Sequence, residues 1–221
     1  MSLKTFDIGY YDTEHLIKCG FKHIGENVLI AKNCNIVGIE NISIGSNVRI
    51  DAFTTIIANN GGYLNLGSYI HIGGYSAIFA GSGVTMMDFS GISQGVKIYS
   101  KSDDYSGKFM TNPCVPSQYT GVIRGEVTLE KHVIVGSQSI IMPNITLKEG
   151  TAVGANSLIT KSTEEWSIMF GSPAKKIKSR RKNILKMEEE LQNNKHIWEI
   201  VDNSRRVWTI LFNKIKYYRY K

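Results

Sequence analysis

The residues whose types could support chemistry are few and widely spaced. Five histidines are present, but none stands in the order of a Ser-His-Asp triad or at the spacing of metal ligands. No glycine-rich phosphate-binding loop is found. The stretch from Lys101 to Glu126 is a better candidate, because it holds Asp103, Asp104 and Tyr105 and interrupts an otherwise regular pattern. Long loops inside compact repeat domains are often functional, so we expect an ordered, projecting loop here.

The element that must position this loop is a six-residue repeat. Its clearest part lies after the loop, where aliphatic residues recur every six positions: Leu129, Val135, Ile141, Leu147, Val153 and Ile159. Neither an α-helix nor simple strand alternation has this period. A hexapeptide period is typical of a parallel β-helix, in which each unit forms a short strand and a turn. A sandwich with evenly spaced strands would need about 8–12 residues for each strand.

The same register precedes the loop, with two small slips. Before the loop the aliphatic positions are Ile24, Ile30, Ile36, Ile44, Ile50, Ile56, Leu66, Ile72, Ile78, Val84 and Val96. The sequence therefore predicts a β-helix domain over residues 1–178, with residues 1–22 as its cap and residues 102–126 as an inserted loop. Residues 179–221 have a helical pattern and form a predicted basic tail. The tail either packs against protein or lies on a membrane surface, and we favour packing.

Composition limits the functional class. The net charge is +7, but most of it falls after Ser179, so the remainder lacks the broad basic face of a nucleic-acid binder. Three cysteines without metal-ligand spacing favour a reducing compartment. No signal peptide and no membrane-spanning run are recognised. We therefore expect a cytoplasmic protein.

The repeat, the long loop after Ile98-Tyr99-Ser100 and the closing Gly171-Ser172-Pro173-Ala174-Lys175 together resemble one family. They are similar to the hexapeptide-repeat acetyltransferases, within which the resemblance is strongest to sugar acetyltransferases of bacterial surface-polysaccharide pathways. The resemblance implies a left-handed parallel β-helix, all-β apart from a C-terminal α-helical appendage. It also implies acetyl-CoA as co-substrate, no metal, and a homotrimer with active sites between subunits.

The resemblance assigns coenzyme-binding roles to five residues. Ser137 and Ala155 match two small corner positions 18 residues apart, which would stack on successive coils and offer backbone groups to the pantetheine arm. Thr160 and Lys161 match a pair near the adenine and phosphates in relatives. Lys178 matches a basic position that serves the same end of the coenzyme.

One departure from the family pattern bears on the acceptor. Many O-acetyltransferases of this family have a histidine base three residues after Ile-Tyr-Thr, whereas this chain has Asp103 there. A sugar hydroxyl needs a base with a pKa near the working pH, and an aspartate with an ordinary pKa of about 3.9 serves poorly. An amine is already partly neutral and nucleophilic. We therefore expect N-acetylation of a nucleotide-linked amino sugar, such as GDP-perosamine for O-antigen and lipopolysaccharide biosynthesis, with Asp103 or Asp104 orienting the amine.

Two alternatives stay open at this point. The first is a sugar O-acetyltransferase in which His71 or His132 acts as the base, since both fall at outward-facing positions of the repeat. The second is a non-catalytic β-helix scaffold. The interrupting loop argues against a scaffold, which favours long and regular faces. As site residues we therefore expect Asp103 and His71 in catalysis, and Asp104 and Tyr105 in substrate binding.

Overall fold

A computed structural model describes residues 9–193 of the chain. The chain divides into two compact units, Met1–Arg180 and Arg181–Lys221. Within the described part, the first unit is a parallel β-helix and the second contains one α-helix. The predicted all-β fold with a C-terminal helix is confirmed.

The strands are short, as a six-residue unit requires. In chain order they are β1 (Tyr10–Tyr11), β2 (His23–Ile24), β3 (Val28–Ala31), β4 (Asn35–Val37), β5 (Ile42–Ile44), β6 (Val48–Ile50), β7 (Thr55–Ile57), β8 (Leu64–Leu66), β9 (Ile70–Ile72), β10 (Ala77–Phe79), β11 (Val84–Met86), β12 (Gly91–Ile92), β13 (Lys97–Tyr99), β14 (Lys101–Ser102), β15 (Ile123–Arg124), β16 (Val127–Leu129), β17 (Ile134–Val135), β18 (Ile140–Ile141), β19 (Ile145–Leu147), β20 (Ala152–Val153), β21 (Leu158–Ile159), β22 (Ser167–Gly171) and β23 (Ala174–Ser179). The helices are α1 (Thr13–Ile17) and α2 (Ile184–Asn193).

Three sheets form the faces of the β-helix. Sheet I has the order β1-β3-β6-β9-β12-β17-β20-β22-β23, sheet II the order β21-β18-β13-β10-β7-β4, and sheet III the order β19-β16-β11-β8-β5-β2. Each coil contributes one strand to each sheet in the order III, I, II, and neighbouring coils pair in parallel. The six periodic aliphatic residues from Leu129 to Ile159 all point inward and are at most 4 % exposed. Their burial forms the continuous core that a solenoid needs.

Both ends of the β-helix are closed by antiparallel pairing. At the first coil, β1 pairs antiparallel with β3, and α1 follows with Asp12 as its N-cap, whose side chain accepts the N–H of His15 at 3.0 Å. At the last coil, β22 and β23 form an antiparallel hairpin on β20. These pairings cover strand edges of sheet I that would otherwise be open to another chain.

The predicted loop is an excursion from the fourth coil. It leaves after β13 as a two-stranded antiparallel ribbon, β14 and β15. The repeat then resumes without loss of register, because β11 pairs directly with β16, Val84 opposite Val127. The loop therefore lies outside the coil stack.

The second unit is described only through residue 193. In it, α2 carries a side-chain hydrogen bond from Gln192 Nε2 to Glu188 Oε1 at 2.7 Å. The rest of the predicted helical tail, residues 194–221, lies outside the described residues. Among the helices of residues 9–193, none is long and apolar enough to cross a membrane.

Candidate active site

The corner between sheets I and II, here called the I–II corner, carries the predicted pantetheine contacts. β17 pairs with β20, Val135 opposite Val153, so the residues that follow these strands also stack. Ser137 and Ala155 therefore occupy one column on successive coils. Between these coils, the N–H of Gly136 donates to Val153 O at 2.8 Å, and the N–H of Asn156 donates to Ser137 O at 2.9 Å.

Two backbone amides at this corner are available to a ligand. Within residues 9–193, neither the N–H of Ser137 nor that of Ala155 has a hydrogen-bond partner. A side chain at position 136 would meet the nitrogen of Ala155, since an ideal Cβ there lies 2.6 Å from it. The glycine therefore leaves open space beside that amide. This geometry fits a chain of amide groups bound along the corner, as the resemblance implies.

Further along the same corner, a charged cluster surrounds Asp51. His71 Nε2 lies 2.7 Å from Asp51 Oδ2, Arg49 Nε lies 2.9 Å from Asp51 Oδ1, and the Tyr10 hydroxyl donates to Oδ1 at 3.1 Å. Arg49 and His71 are adjacent because β6 and β9 pair in register, and both occupy the outward position of their strands. Coil stacking therefore brings Arg49, Asp51 and His71 together, although His71 is 20 to 22 residues from the other two in sequence.

The Asp51 cluster defines the chemistry open to His71. Burial alone would raise the pKa of the Asp51 carboxyl, but the His71 hydrogen bond and the charge of Arg49 outweigh it and hold that pKa below its usual range. Asp51 is therefore ionised. Arg49 Nη2 lies 3.0 Å from Nε2 of His71 and can donate to it when the ring proton is on Nδ1, whereas the tautomer protonated on Nε2 donates a hydrogen bond to Asp51. In that tautomer the Nδ1 lone pair of His71 can accept a proton from a ligand.

Asp103 lies on the loop and lines a cleft of about 390 Å³, together with Asp104, Tyr105, Gly107, Phe109 and Thr111. The Asn112 N–H donates to Asp103 Oδ2 at 3.2 Å, and Oδ1 has no partner in the described part of the chain. One carboxylate oxygen is thus held by the loop while the other remains open to a cationic or hydrogen-bonding group.

The two other predicted substrate-binding residues differ in their surroundings. Asp104 is bound within the loop: it accepts the Ser106 hydroxyl at 2.8 Å and the Ser106 N–H at 3.3 Å. These hydrogen bonds lower the pKa of the Asp104 carboxyl. Tyr105 is 87 % exposed, so its ring projects from the loop.

The predicted residues for the nucleotide end of the coenzyme are exposed and lie on two separate elements. Thr160 and Lys161 directly follow β21, at the corner where sheet II leads to sheet III. The loop leaves the fourth coil at this same corner, two coils away. Lys178 lies on the hairpin strand β23, opposite Ile168.

His132 is not available as the base of an O-acetyltransferase, which corrects the expectation from the repeat. It is 7 % exposed, and its ring stacks on Phe89 with a centroid distance of 5.3 Å. Trp166 lies tilted against its other side at 6.3 Å, and Tyr69 stacks on Phe89 beyond it. Its φ of 60° puts it at a tight corner, so its side chain joins the aromatic column rather than the outward surface of a strand. Its ring packs within this column.

The structure does not bring Asp103 and His71 into one site within a single chain. His71 lies on sheet I beside the I–II corner, whereas Asp103 lies on the loop that leaves the opposite end of sheet II. Ser137 and Ala155, by contrast, lie at the I–II corner, next to the sheet that carries His71. These three residues are thus at or beside the I–II corner, whereas the Asp103 carboxylate lies at the opposite edge of sheet II.

Sequence reasoning did not identify Arg49 and Asp51. Their signal was present in the repeat: Val-Arg-Ile-Asp at residues 48–51 and Ile-His-Ile at residues 70–72 occupy equivalent hexapeptides. Polar residues at the outward position of stacked strands must be neighbours, because adjacent strands are about 4.8 Å apart. Among residues 9–193, no group of three or more His, Cys, Asp or Glu is arranged to hold a metal ion.

No protein-family model matches the chain. It is 44 % identical over 181 residues to the dTDP-4-amino-4,6-dideoxy-D-glucose acyltransferase of Escherichia coli, covering 82 % of this chain and 94 % of that protein. It is 25 % identical to a putative lipopolysaccharide biosynthesis O-acetyl transferase of Escherichia coli K12, over 72 % of this chain and 88 % of that protein.

Solved structures give the same relationship. AntD, an N-acyltransferase from Bacillus cereus, has a TM-score of 0.82 and 41 % identity to this chain, covering 86 % of this chain and 100 % of that one. That structure is a variant in complex with dTDP-4-amino-4,6-dideoxyglucose and coenzyme A. Another AntD structure, with a TM-score of 0.81, 42 % identity and coverage of 84 % and 97 %, holds dTDP and 3-hydroxybutyryl-CoA. Because these relatives are acyltransferases, the chain is an enzyme and not a scaffold. It belongs to the β-helix, hexapeptide-repeat family of sugar N-acyltransferases.

Proposed function

We propose that this acyl-CoA-dependent acyltransferase acylates the 4-amino group of a dTDP-linked 4-amino-4,6-dideoxyhexose. The observation that carries the proposal is the position of Asp103. AntD structures include variants at one serine and at one aspartate, which lie ten positions apart in that chain. Ser93 and Asp103 have the same spacing here. Ser93 follows β12 at the I–II corner, in the column that also contains Asp51 and Gly136.

The proposed reaction is direct transfer. The neutral amine attacks the thioester carbonyl, a C–N bond forms, the C–S bond breaks, and coenzyme A leaves as its thiolate. The proton lost by the amine neutralises that thiolate in the net reaction. Asp103, through its open Oδ1, binds the ammonium form of the incoming acceptor. Once one proton has passed to solvent, the same oxygen accepts a hydrogen bond from the neutral amine and orients it toward the thioester.

The coenzyme runs along the I–II corner in this proposal. The free N–H groups of Ser137 and Ala155 bind the amides of the pantetheine arm or the thioester oxygen, as in other sites that stabilise an oxyanion with backbone donors. Thr160, Lys161 and Lys178 bind the adenine and phosphates. The exposure of all three residues and the positive charge of the two lysines support this role.

We further propose that the active site forms between neighbouring copies in a trimer. Asp103 and the I–II corner lie on different edges of one chain, so one copy's loop must meet another copy's corner for both to contact one substrate. The outward surface of sheet II supports contact between copies. It carries an apolar column containing Val37, Ile57, Phe79, Tyr99 and Met142.

A second candidate is O-acylation of a sugar with His71 as the base. The Asp51–His71 hydrogen bond of 2.7 Å favours it, since an aspartate that orients a histidine is a recurrent arrangement in general-base catalysis. In the N-acylation reaction the same histidine would accept the amine proton. The biological setting that we propose is cytoplasmic synthesis of a bacterial surface polysaccharide. GDP-perosamine stays a less favoured acceptor, because the related names refer to dTDP sugars.

The test compares two matched acceptors. Thiol release from acetyl-CoA is followed with dTDP-4-amino-4,6-dideoxyglucose and with its 4-hydroxy counterpart, using the wild-type protein and the Asp103→Ala variant. We expect turnover with the amine alone, and a loss of 10²-fold or more in kcat/KM for Asp103→Ala. Turnover with only the hydroxyl sugar would support the His71 alternative. An unchanged rate for Asp103→Ala would refute the role of this residue.

A further inference from the structure

Two positive charges face each other at the base of the loop. Lys101 and Arg124 are direct partners in the antiparallel ribbon formed by β14 and β15. Residues directly opposite in such a pair extend from the same face, and like charges there are destabilising. Burial and the charge of Arg124 together lower the pKa of the Lys101 ammonium. The ribbon thus holds two cations close together at a cost to its own stability.

No carboxylate in the described part of the chain forms an ion pair with either residue. Across residues 9–193, neither Lys101 nor Arg124 has an ion-pair partner. The nearest acidic residues in sequence have other contacts: Glu126 accepts the Thr85 hydroxyl at 2.8 Å, and Asp103 accepts the Asn112 N–H. A pair of opposed cations without a counterion is the electrostatic arrangement expected for the site of a multivalent anion.

The pair is also held in place. An ideal Cβ at Gly81 would lie 3.0 Å from Lys101 Nζ and 3.1 Å from its Cδ and Cε, so the lysine stem lies along the coil over this glycine. Its ammonium is therefore kept near the corner and does not extend freely into solvent. Arg124 is exposed beside it, which leaves the guanidinium accessible to a ligand.

Asp103 stands two residues beyond Lys101. It directly follows β14, so its Cα lies within about 7 Å of the Lys101 Cα. A nucleotide-linked 4-amino sugar carries its diphosphate at C1 and its amine at C4, on opposite sides of one pyranose ring. Two cations followed at this spacing by a carboxylate match these two ends of the sugar in charge and order.

We propose that Lys101 and Arg124 bind the diphosphate of the nucleotide-linked sugar while Asp103 binds its amine. This inference rests on the proposed function and adds the residues that restrict the enzyme to nucleotide-activated acceptors. Coenzyme A also contains a diphosphate, but its proposed partners Thr160, Lys161 and Lys178 lie on later coils. The two sources of diphosphate give different outcomes in the experiment.

The experiment uses the full chain with Lys101→Met, Arg124→Gln and the double variant. Met keeps the stem over Gly81, and Lys32→Met is the matched control for loss of an exposed cation on the first coil. Binding of dTDP is measured directly, and KM and kcat are measured for dTDP-4-amino-4,6-dideoxyglucose and for acetyl-CoA. We expect each single variant to weaken dTDP binding and raise the sugar KM by about 10- to 100-fold, as for a lost charge-assisted hydrogen bond. The KM for acetyl-CoA and the control variant should change less than about threefold.

Two further readouts separate binding from structure. Because the opposed charges destabilise the ribbon, the variants should melt at the wild-type temperature or above it. Asp103→Asn should weaken binding of the amino sugar but not of dTDP, which lacks the amine. Unchanged dTDP affinity in the double variant, no dTDP binding by the wild type, or a rise only in the KM for acetyl-CoA would overturn the inference. Failure of the wild type to acylate any amino sugar would instead refute the proposed function.

Discussion

The substitution Gly136→Ala tests the closest backbone approach in the I–II corner. An added methyl carbon would lie 2.6 Å from the nitrogen of Ala155 and 2.9 Å from both Gly154 C and Val153 O. All three atoms are backbone, so the fifth and sixth coils must separate by several tenths of an ångström. The shift strains the hydrogen bond from Gly136 N–H to Val153 O, now 2.8 Å. Overpacking and a weakened hydrogen bond together predict a loss of about 2–4 kcal/mol in the free energy of unfolding.

Gly154→Ala is the matched control on the next coil. Its added methyl would meet the ring of Phe170 at 2.4 Å, but that ring is 54 % exposed and can rotate away. We expect its melting temperature within about 2 °C of wild type, and a decrease of about 4–12 °C for Gly136→Ala. The comparison is made by thermal unfolding of both variants in one buffer.

The same substitution also tests the proposed coenzyme path. The alanine methyl would cover the free N–H of Ala155, which we propose binds acyl-CoA. Loss of that hydrogen bond predicts a rise of about 5- to 10-fold in the KM for acetyl-CoA, with the KM for the sugar unchanged. If Gly136→Ala melts like the control and keeps the wild-type KM for acetyl-CoA, both the tight coil contact and the amide contact are wrong.

Three other substitutions test separate parts of the structure. Asp51→Asn should lower the free energy of unfolding by about 1–2 kcal/mol at pH 7. Because the pKa of Asp51 is depressed in the folded state, the difference in stability from wild type should shrink as the pH falls below about 4, which is measured by unfolding the two proteins over a range of acid pH values. Trp166→Leu removes a ring that packs beside His132 and should lower the free energy of unfolding by about 2–3 kcal/mol in urea. An unchanged free energy of unfolding would refute a packing role for the aromatic column. Lys161→Met should raise the KM for acetyl-CoA about 3- to 10-fold without affecting dTDP binding, and equal effects on both ligands would contradict its assignment to the coenzyme.

The fold could be predicted because its core repeats along the sequence. Each aliphatic position from Leu129 to Ile159 is buried as its six-residue spacing requires, and the resumed register after the loop is visible at Val127 and Leu129. His132 is the instructive failure. Its neighbours made it look like an outward strand position, but a φ of 60° turns it into a corner, and corner geometry depends on the backbone rather than on the period.

The site was harder to predict, because it combines residues from different coils. The loop position of Asp103 was evident from the sequence, since the repeat stops there. The contact of Arg49 and His71 with Asp51 required the number of residues in each coil, which varies between neighbouring coils. The opposed charges of Lys101 and Arg124 required the pairing of β14 with β15 across an interval that no periodicity describes. Which residues of stacked coils are in contact depends on the number of residues in each coil, and that number becomes known only from the strand register of the folded protein.

The loop's position outside the coil stack has a consequence for how such enzymes diversify. Because β11 pairs with β16 across the excursion, the loop can lengthen, shorten or change composition without altering any coil below it. Under the proposed function, the surface for the acyl donor and the surface for the acceptor are therefore encoded in separate stretches of one gene. A loop taken from a relative with another acceptor should transplant between β14 and β15 as a cassette, and alter sugar choice while donor use is inherited unchanged.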